Sequence, residues 1–211
     1  MISRKLCSPL NRAIVALKLT DAFPPVEGEY IGCDRGTLFL LDQGCKVRHA
    51  IGDFDSVSTE EMQRIMDSGA ELTILPRIKD DTDSEAAIRF CLEKGYEEIW
   101  LIGGTGGRID HLVINLRLAE KYPGQVVLWD RGNKVHACTK GRYAFPYRPD
   151  CYMSFFTSSH AEISLEGMKY PLHKRTIKPD DLYTVSNEIT AQEGILTVHE
   201  GIVTVMECLD Q

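Results

Sequence analysis

No CxxC pair occurs in this chain, although seven cysteines are scattered through its 211 residues. An odd set of thiols without paired spacing argues against a zinc site or a disulfide framework, so they read as reduced residues of apolar segments. Basic charge is also scarce. Lysine and arginine number 24 against 31 acidic residues, a formal net charge of −7. That balance argues against nucleic-acid binding, since there is no cationic surplus for a phosphate backbone; any phosphate ligand must be held locally, by metal or a few cations. No apolar run reaches membrane-spanning length, and Pro9, Asn11 and Arg12 interrupt the first segment. The expectation is a cytoplasmic protein without membrane association. Internal repeats, low-complexity tracts and a GxSxG nucleophile turn are missing too, which leaves a hydrolytic triad without support.

What is present is 43% hydrophobic and 26% charged, enough for one large core or two modest ones. Up to about Val135, short apolar runs alternate with amphipathic segments, the pattern of a parallel sheet wrapped by helices. Strands are predicted over 13–17, 30–33, 47–51, 72–75, 98–102 and 126–129. Ser58-Thr59-Glu60-Glu61 has capping-box spacing and opens a helix to about Gly69, and Thr82-Asp83-Ser84-Glu85 opens another ending near Gly95. A third helix begins near Ile109. Its Ile109, Leu112, Val113 and Leu116 share one face, which should pack on the sheet, while His111 and Asn115 share another that could look onto a ligand. Beyond the turns at Gly132-Asn133 and Lys140-Gly141 the pattern alternates with period two. The expectation is an α/β domain over 1–135 with a Rossmann-like parallel sheet, then a smaller all-β sandwich over 136–211, closing in a hairpin around Glu200-Gly201.

Three acidic motifs arrive in order: Gly52-Asp53-Phe54-Asp55-Ser56, Lys79-Asp80-Asp81-Thr82-Asp83, and Gly106-Gly107-Arg108-Ile109-Asp110-His111. In the first, two carboxylates two residues apart follow a strand end and can face the crevice beyond it if Phe54 turns inward; alone, it is also an ordinary turn. In the second, crowded carboxylates at a helix start repel one another unless a cation compensates, or they are solvated at a helix N-terminus. In the third, glycines after a buried strand permit close backbone approach to an anion, though their spacing is neither a Walker loop nor a dinucleotide fingerprint. Asp34, in Cys33-Asp34-Arg35-Gly36-Thr37, adds an acid to the same predicted edge. Together the motifs describe a magnesium and polyphosphate site.

The ordered set resembles the thiamine pyrophosphokinase (thiamine diphosphokinase) family. The three acidic motifs with Asn115 look like its nucleotide-domain motifs, and Gly167-Met168-Lys169-Tyr170-Pro171-Leu172 with Ser186-Asn187-Glu188 look like its substrate-domain motifs. The resemblance implies an enzyme that moves the β,γ-diphosphate of ATP to the hydroxyethyl group of thiamine, releasing AMP. It implies magnesium, and a homodimer with the active site near the subunit interface. By position, Asp53, Asp55, Asp80 and Asp83 would be metal-side carboxylates. Arg108 and Asp110 would join Asp53, Asp55 and Asp83 in catalysis, with Asp34, Lys79, Thr82, Gly106, Gly107, Arg108, His111 and Asn115 on ATP. Ser186 and Asn187 would meet thiamine, and Phe155, Phe156 and Tyr183 are the candidate aromatics. The chain departs from the family at Val15-Ala16-Leu17-Lys18-Leu19 and at Cys33-Asp34-Arg35-Gly36-Thr37, where a glycine-rich turn and an Ala-Asp-Gly-Gly type are usual. Alternatives are a pyrophosphokinase for another small alcohol, such as a hydroxymethylpterin, and a non-catalytic thiamine or nucleotide binder. A phosphatase lacks the strand-Asp-x-Asp-x-Thr context.

Overall fold

The computed structural model describes residues 11–76 and 81–210. They fall into two compact units, one holding the chain up to Ile102 apart from Ala22–Pro24, the other running from Gly103. In the first, β1 (Arg12–Ala16) and β2 (Glu29–Cys33) are followed by α1 (Gly36–Asp42), β3 (Val47–Gly52), α2 (Thr59–Asp67), β4 (Glu71–Ile74), α3 (Asp83–Glu93) and β5 (Glu98–Ile102). All five strands run parallel in the order β5-β1-β2-β3-β4. Ala13 to Ala16 and Ile99, Leu101 and Ile102 have no exposure, as expected of parallel strands covered on both faces. The chain builds outward from β1, to β2, β3 and β4 on one side and β5 on the other. The sheet order therefore reverses at β1.

The predicted helix starts hold. Ser58 and Glu61 form the full capping box, Oγ accepting from the Glu61 N–H at 3.2 Å and Glu61 accepting from the Ser58 N–H at 2.9 Å. Thr82 Oγ1 accepts from the Glu85 N–H at 3.2 Å to open α3. Helix α1, for which no helix is predicted from the sequence, is an addition. It lies tightly on β1 and β2: a Cβ on Gly36 would stand 2.0 Å from the Ala16 carbonyl oxygen, and one on Gly32 would stand 2.3 Å from Thr37 Oγ1. The glycines of this departing turn thus serve packing between backbones.

The second unit contains α4 (Ile109–Lys121) and β6 (Val126–Trp129), β7 (Asn133–Cys138), β8 (Gly141–Pro146), β9 (Cys151–Phe156), β10 (Ala161–Glu166), β11 (Leu172–Ile177), β12 (Asn187–Glu188), β13 (Glu193–Glu200) and β14 (Val203–Leu209). Antiparallel sheets β12-β9-β14-β7-β6 and β11-β10-β13-β8 share one core, in which Phe155, Met153, Val203 and Val205 meet Ile163, Leu165, Leu196 and Val198. That is a sandwich. Helix α4 packs on β6, β7 and β14.

Two expectations are corrected. β13 and β14 do not form a hairpin: β13 pairs with β10 and β8, and β14 with β7 and β9, so the turn at Gly201 carries the chain from one sheet to the other. Both strands are apolar on alternate positions, a pattern equally suited to pairing with each other or to facing each other across a core. The buried face of α4 is also a different one. Asn115, Leu118 and Ala119 are buried, whereas Ile109 is 76% and Val113 47% exposed. The Asn115 amide donates to the Gly104 carbonyl at 2.8 Å, which satisfies the polar group that burial would otherwise penalise. It does not share an outward face with the exposed His111.

Candidate active site

In the first unit the acidic residues gather at the C-terminal edge of β2 and β3. Asp34 and Phe54 both adopt left-handed backbone, φ 47° and 53°, unusual for residues with a Cβ. The two strained positions are tied together: the Phe54 N–H donates to Asp34 Oδ1 at 3.0 Å, and the Asp34 N–H donates to the Ile51 carbonyl at 3.0 Å. The carboxylate lies so close over Gly52 that a Cβ there would stand 1.8 Å from Oδ1. Phe54 does turn inward, packing among Leu38, Ala50 and Ile65. This leaves Asp53 half-buried and Asp55 exposed on either side of it, with the Asp55 N–H bonded to Asp53 Oδ1 at 3.1 Å.

Arg35, which the sequence reading gave no role, holds the far side of this loop. Its guanidinium makes a two-pronged pair with Glu61 at 2.8 and 2.9 Å and donates to the Ser56 carbonyl at 2.8 Å. The pair keeps the Glu61 carboxyl below its ordinary range. Only its place immediately after Asp34 hints at such a function.

Asp83 is the first residue of α3 and half-buried, and Thr82 caps that helix. Asp81 pairs with Arg89, nearly two turns into the helix, at 2.7 Å, a local structural use. Lys79 and Asp80 lie outside the described residues. The β3 turn and the α3 start each present carboxylate oxygens, the hard ligands magnesium takes. That ion commonly uses one or two protein carboxylates and fills the rest of its shell with water and phosphate oxygen. No closed group of three acidic, histidine or cysteine ligands exists among the described residues.

In the second unit, the glycine segment before α4 has Gly103 and Gly107 in left-handed backbone, φ 75° and 76°. Gly106, Gly107, Arg108, Asp110 and His111 are all exposed. The segment is anchored from below by Asn115 on the Gly104 carbonyl and by Thr105, whose hydroxyl donates to Asp130. Asp130 also accepts the N–H groups of Gly132 and Asn133 at 2.7 and 2.6 Å, the Asp-x-Gly-Asn turn that carries β6 into β7. Arg108 and Asp110 form a fork, Nε to Oδ1 at 3.0 Å and Nη2 to Oδ2 at 2.5 Å. Beside that guanidinium, and with the His111 N–H also on Oδ1, the Asp110 carboxyl is pulled down to about 2.

The predicted acceptor residues separate by burial. Ser186 is exposed, with φ 56° and its N–H on Ser154 Oγ at 3.1 Å, whereas Asn187 is buried. Of the candidate aromatics, Phe155 has no exposure and belongs to the sandwich core, Phe156 is half-buried, and Tyr183 is 47% exposed with its hydroxyl 3.2 Å from Arg175 Nε. Phe155 is thus excluded as a stacking surface.

The class defined by these two units, one a parallel α/β sheet with acidic strand ends and the other a β-sandwich, is matched by comparison with known proteins. The family model "Thiamin pyrophosphokinase, catalytic domain" matches residues 28–127, and "Thiamin pyrophosphokinase, vitamin B1 binding domain" matches 145–203. Thiamine pyrophosphokinase of Bacillus subtilis is 35% identical over 173 residues, covering 78% of this chain and 80% of that relative. Among solved structures, a thiamine pyrophosphokinase from Bacillus subtilis matches with TM-score 0.84 at 29% identity, over 95% of this chain and 100% of that one. A thiamin pyrophosphokinase family protein from Enterococcus faecalis matches with TM-score 0.83 at 31% identity over the same shares. The chain belongs to the thiamine pyrophosphokinase family.

Proposed function

We infer that this chain is a transferase that makes thiamine diphosphate and AMP from thiamine and ATP. The observation that carries the reading is the match of both family models, in order, to a single chain. The match to a vitamin B1 binding domain also favours thiamine over a pterin-like alcohol as acceptor. In domain terms, we assign nucleotide and magnesium binding to residues 1–135, on a Rossmann-like sheet, and thiamine binding to 136–211. Homodimerisation and a cytoplasmic location belong to the same reading; no helix among the described residues is long and apolar enough to cross a membrane.

In the reaction, the thiamine hydroxyl oxygen bonds to the β-phosphorus of ATP, the bond from that phosphorus to the α,β-bridging oxygen breaks, and AMP leaves; the hydroxyl proton passes to solvent. Asp53, Asp55 and Asp83, with Asp80, hold magnesium, which when bound offsets phosphate charge. Asp34 acts by keeping the Asp53–Asp55 turn in place. Arg108 and Lys79 meet phosphate oxygens, and the exposed Gly106-Gly107 backbone and His111 accompany them on ATP. Asp110, ionised far below neutral pH, is a weak base, and its part is to orient the Arg108 guanidinium. Thr82 and Asn115 support the nucleotide side through the helix start and the glycine segment they hold. On the acceptor side, Ser186 offers its hydroxyl.

The test is to incubate the purified chain with ATP, thiamine and Mg²⁺ and identify both products. AMP and thiamine diphosphate in equal amounts are expected. ADP in place of AMP would make the transferred group a single phosphoryl and overturn the reading.

A further inference from the structure

The sequence motif Ser186-Asn187-Glu188 pointed to two thiamine contacts, yet Asn187 is only 4% exposed and its amide is already engaged. Its Oδ1 accepts the Tyr170 N–H at 2.9 Å and the Glu188 N–H at 3.0 Å, while Nδ2 donates to the Tyr170 carbonyl at 2.9 Å. The side chain thus pairs with both backbone groups of one residue, as a neighbouring strand would. With both acceptor positions and one of two N–H groups used, little capacity is left for a ligand.

What this pairing holds is a loop whose side chains are outside. The Lys169 N–H donates to the Glu188 carbonyl at 2.8 Å and the Thr190 N–H to the Gly167 carbonyl at 2.9 Å, so residues 167–170 run against 187–190. Tyr170 itself is 58% exposed. The Lys169 ammonium stands 5.7 Å from its ring centroid and 2.6 Å from Glu188 Oε1.

Resting on the reading that this unit binds thiamine, we propose that Asn187 is a positioning residue for the acceptor. By gripping the Tyr170 backbone it sets where Lys169 and Tyr170 project, and it does not touch thiamine.

The test combines hydrogen exchange on the ligand-free chain with steady-state kinetics, for Asn187→Ala, Tyr170→Ala and the double variant. With three bonds removed, Asn187→Ala should exchange its 167–171 amides at least about tenfold faster and raise KM for thiamine about tenfold, with KM for ATP within about twofold of wild type. Because part of the Asn187 effect runs through the Tyr170 ring, the losses in the double variant should fall clearly short of multiplying. Multiplying losses, or a raised thiamine KM with wild-type exchange, would instead make Asn187 a direct contact. If Asn187→Ala does not fold, Asn187→Asp, which loses the donor to the Tyr170 carbonyl, should move both readouts the same way, and movement of KM alone would overturn the proposal. A wild-type chain inactive on thiamine would sink the functional reading, while the exchange result would still decide whether the grip exists.

Discussion

The Asp34 carboxylate accepts the backbone N–H of Phe54 at 3.0 Å, so one acidic residue fixes the turn that carries two others. Asp34→Ala should therefore act on the Asp53–Asp55 geometry. Losing a hydrogen bond to a charged group costs about 1.5–3 kcal/mol, so the Mg²⁺ concentration for half-maximal activity should rise roughly tenfold or more. A magnesium titration at saturating ATP measures it. Asp34→Asn, which can still accept from Phe54, should be milder; an equally severe Asn variant would mean that the charge itself is used.

Gly52 lies beneath that carboxylate. A Cβ would stand 1.8 Å from Asp34 Oδ1, closer than any real contact, so Gly52→Ala must displace the Asp34 side chain. We expect a loss of activity comparable to that of Asp34→Ala and a stability loss of roughly 1–3 kcal/mol by chemical denaturation. Wild-type behaviour in both would show that the Asp34 contact is dispensable.

Asp53→Asn and Asp83→Asn should each lower kcat by at least about two orders of magnitude, as expected when a metal ligand is lost. Thermal melting should stay close to wild type, since both residues sit at element ends outside the core. A variant that retains near-normal turnover would move the metal elsewhere.

The Arg108–Asp110 fork makes a pH prediction. With the Asp110 carboxyl held at about 2 by the guanidinium, its ionised form persists through the whole working range of an enzyme. The acid limb of the kcat/KM profile should therefore be unchanged in Asp110→Asn, although the rate falls because Arg108 loses its partner. An acid limb that disappears in this variant would restore Asp110 as a proton acceptor.

His49 governs stability instead of turnover. Its side chain is buried against Phe90 with ring centroids 5.0 Å apart, and burial lowers its pKa from 6.5, outweighing the nearby Glu71 carboxylate 3.3 Å from Nδ1. The folded state thus favours the neutral ring, while the unfolded chain takes up the proton near the ordinary value. The stability this contributes is complete above about 6.5 and drains away as pH falls toward the depressed folded value. Denaturant midpoints at pH 8 and pH 5.5 should diverge more for wild type than for His49→Gln; equal shifts would remove His49 as the cause.

Much of this protein was legible from its residues because the signals are local. Buried apolar runs define β1, β2, β3 and β5, the Ser58–Glu61 pair marks the start of α2, and the acidic motifs fall directly after strands or at helix starts. The inward turn of Phe54, on which the outward placing of its two flanking aspartates depended, is set by packing against Leu38, Ala50 and Ile65. Helix α1 escaped because its glycines look like a turn until the backbones of β1 and β2 lie against them.

The sequence by itself determined the chemistry on offer: which carboxylates, cations and glycines exist, in what order, and on which kind of element. Only the tertiary structure decided how they are used, because that depends on partners far away along the chain. Asn115 and Asn187 stand in motifs that the chain itself displays, and only the fold brings their amides onto backbone groups of Gly104 and Tyr170. The alternation of β13 and β14 specifies two strands with one apolar face each. Whether those faces lie side by side in one sheet or opposite each other across a core is settled by where β7, β8, β9 and β10 run.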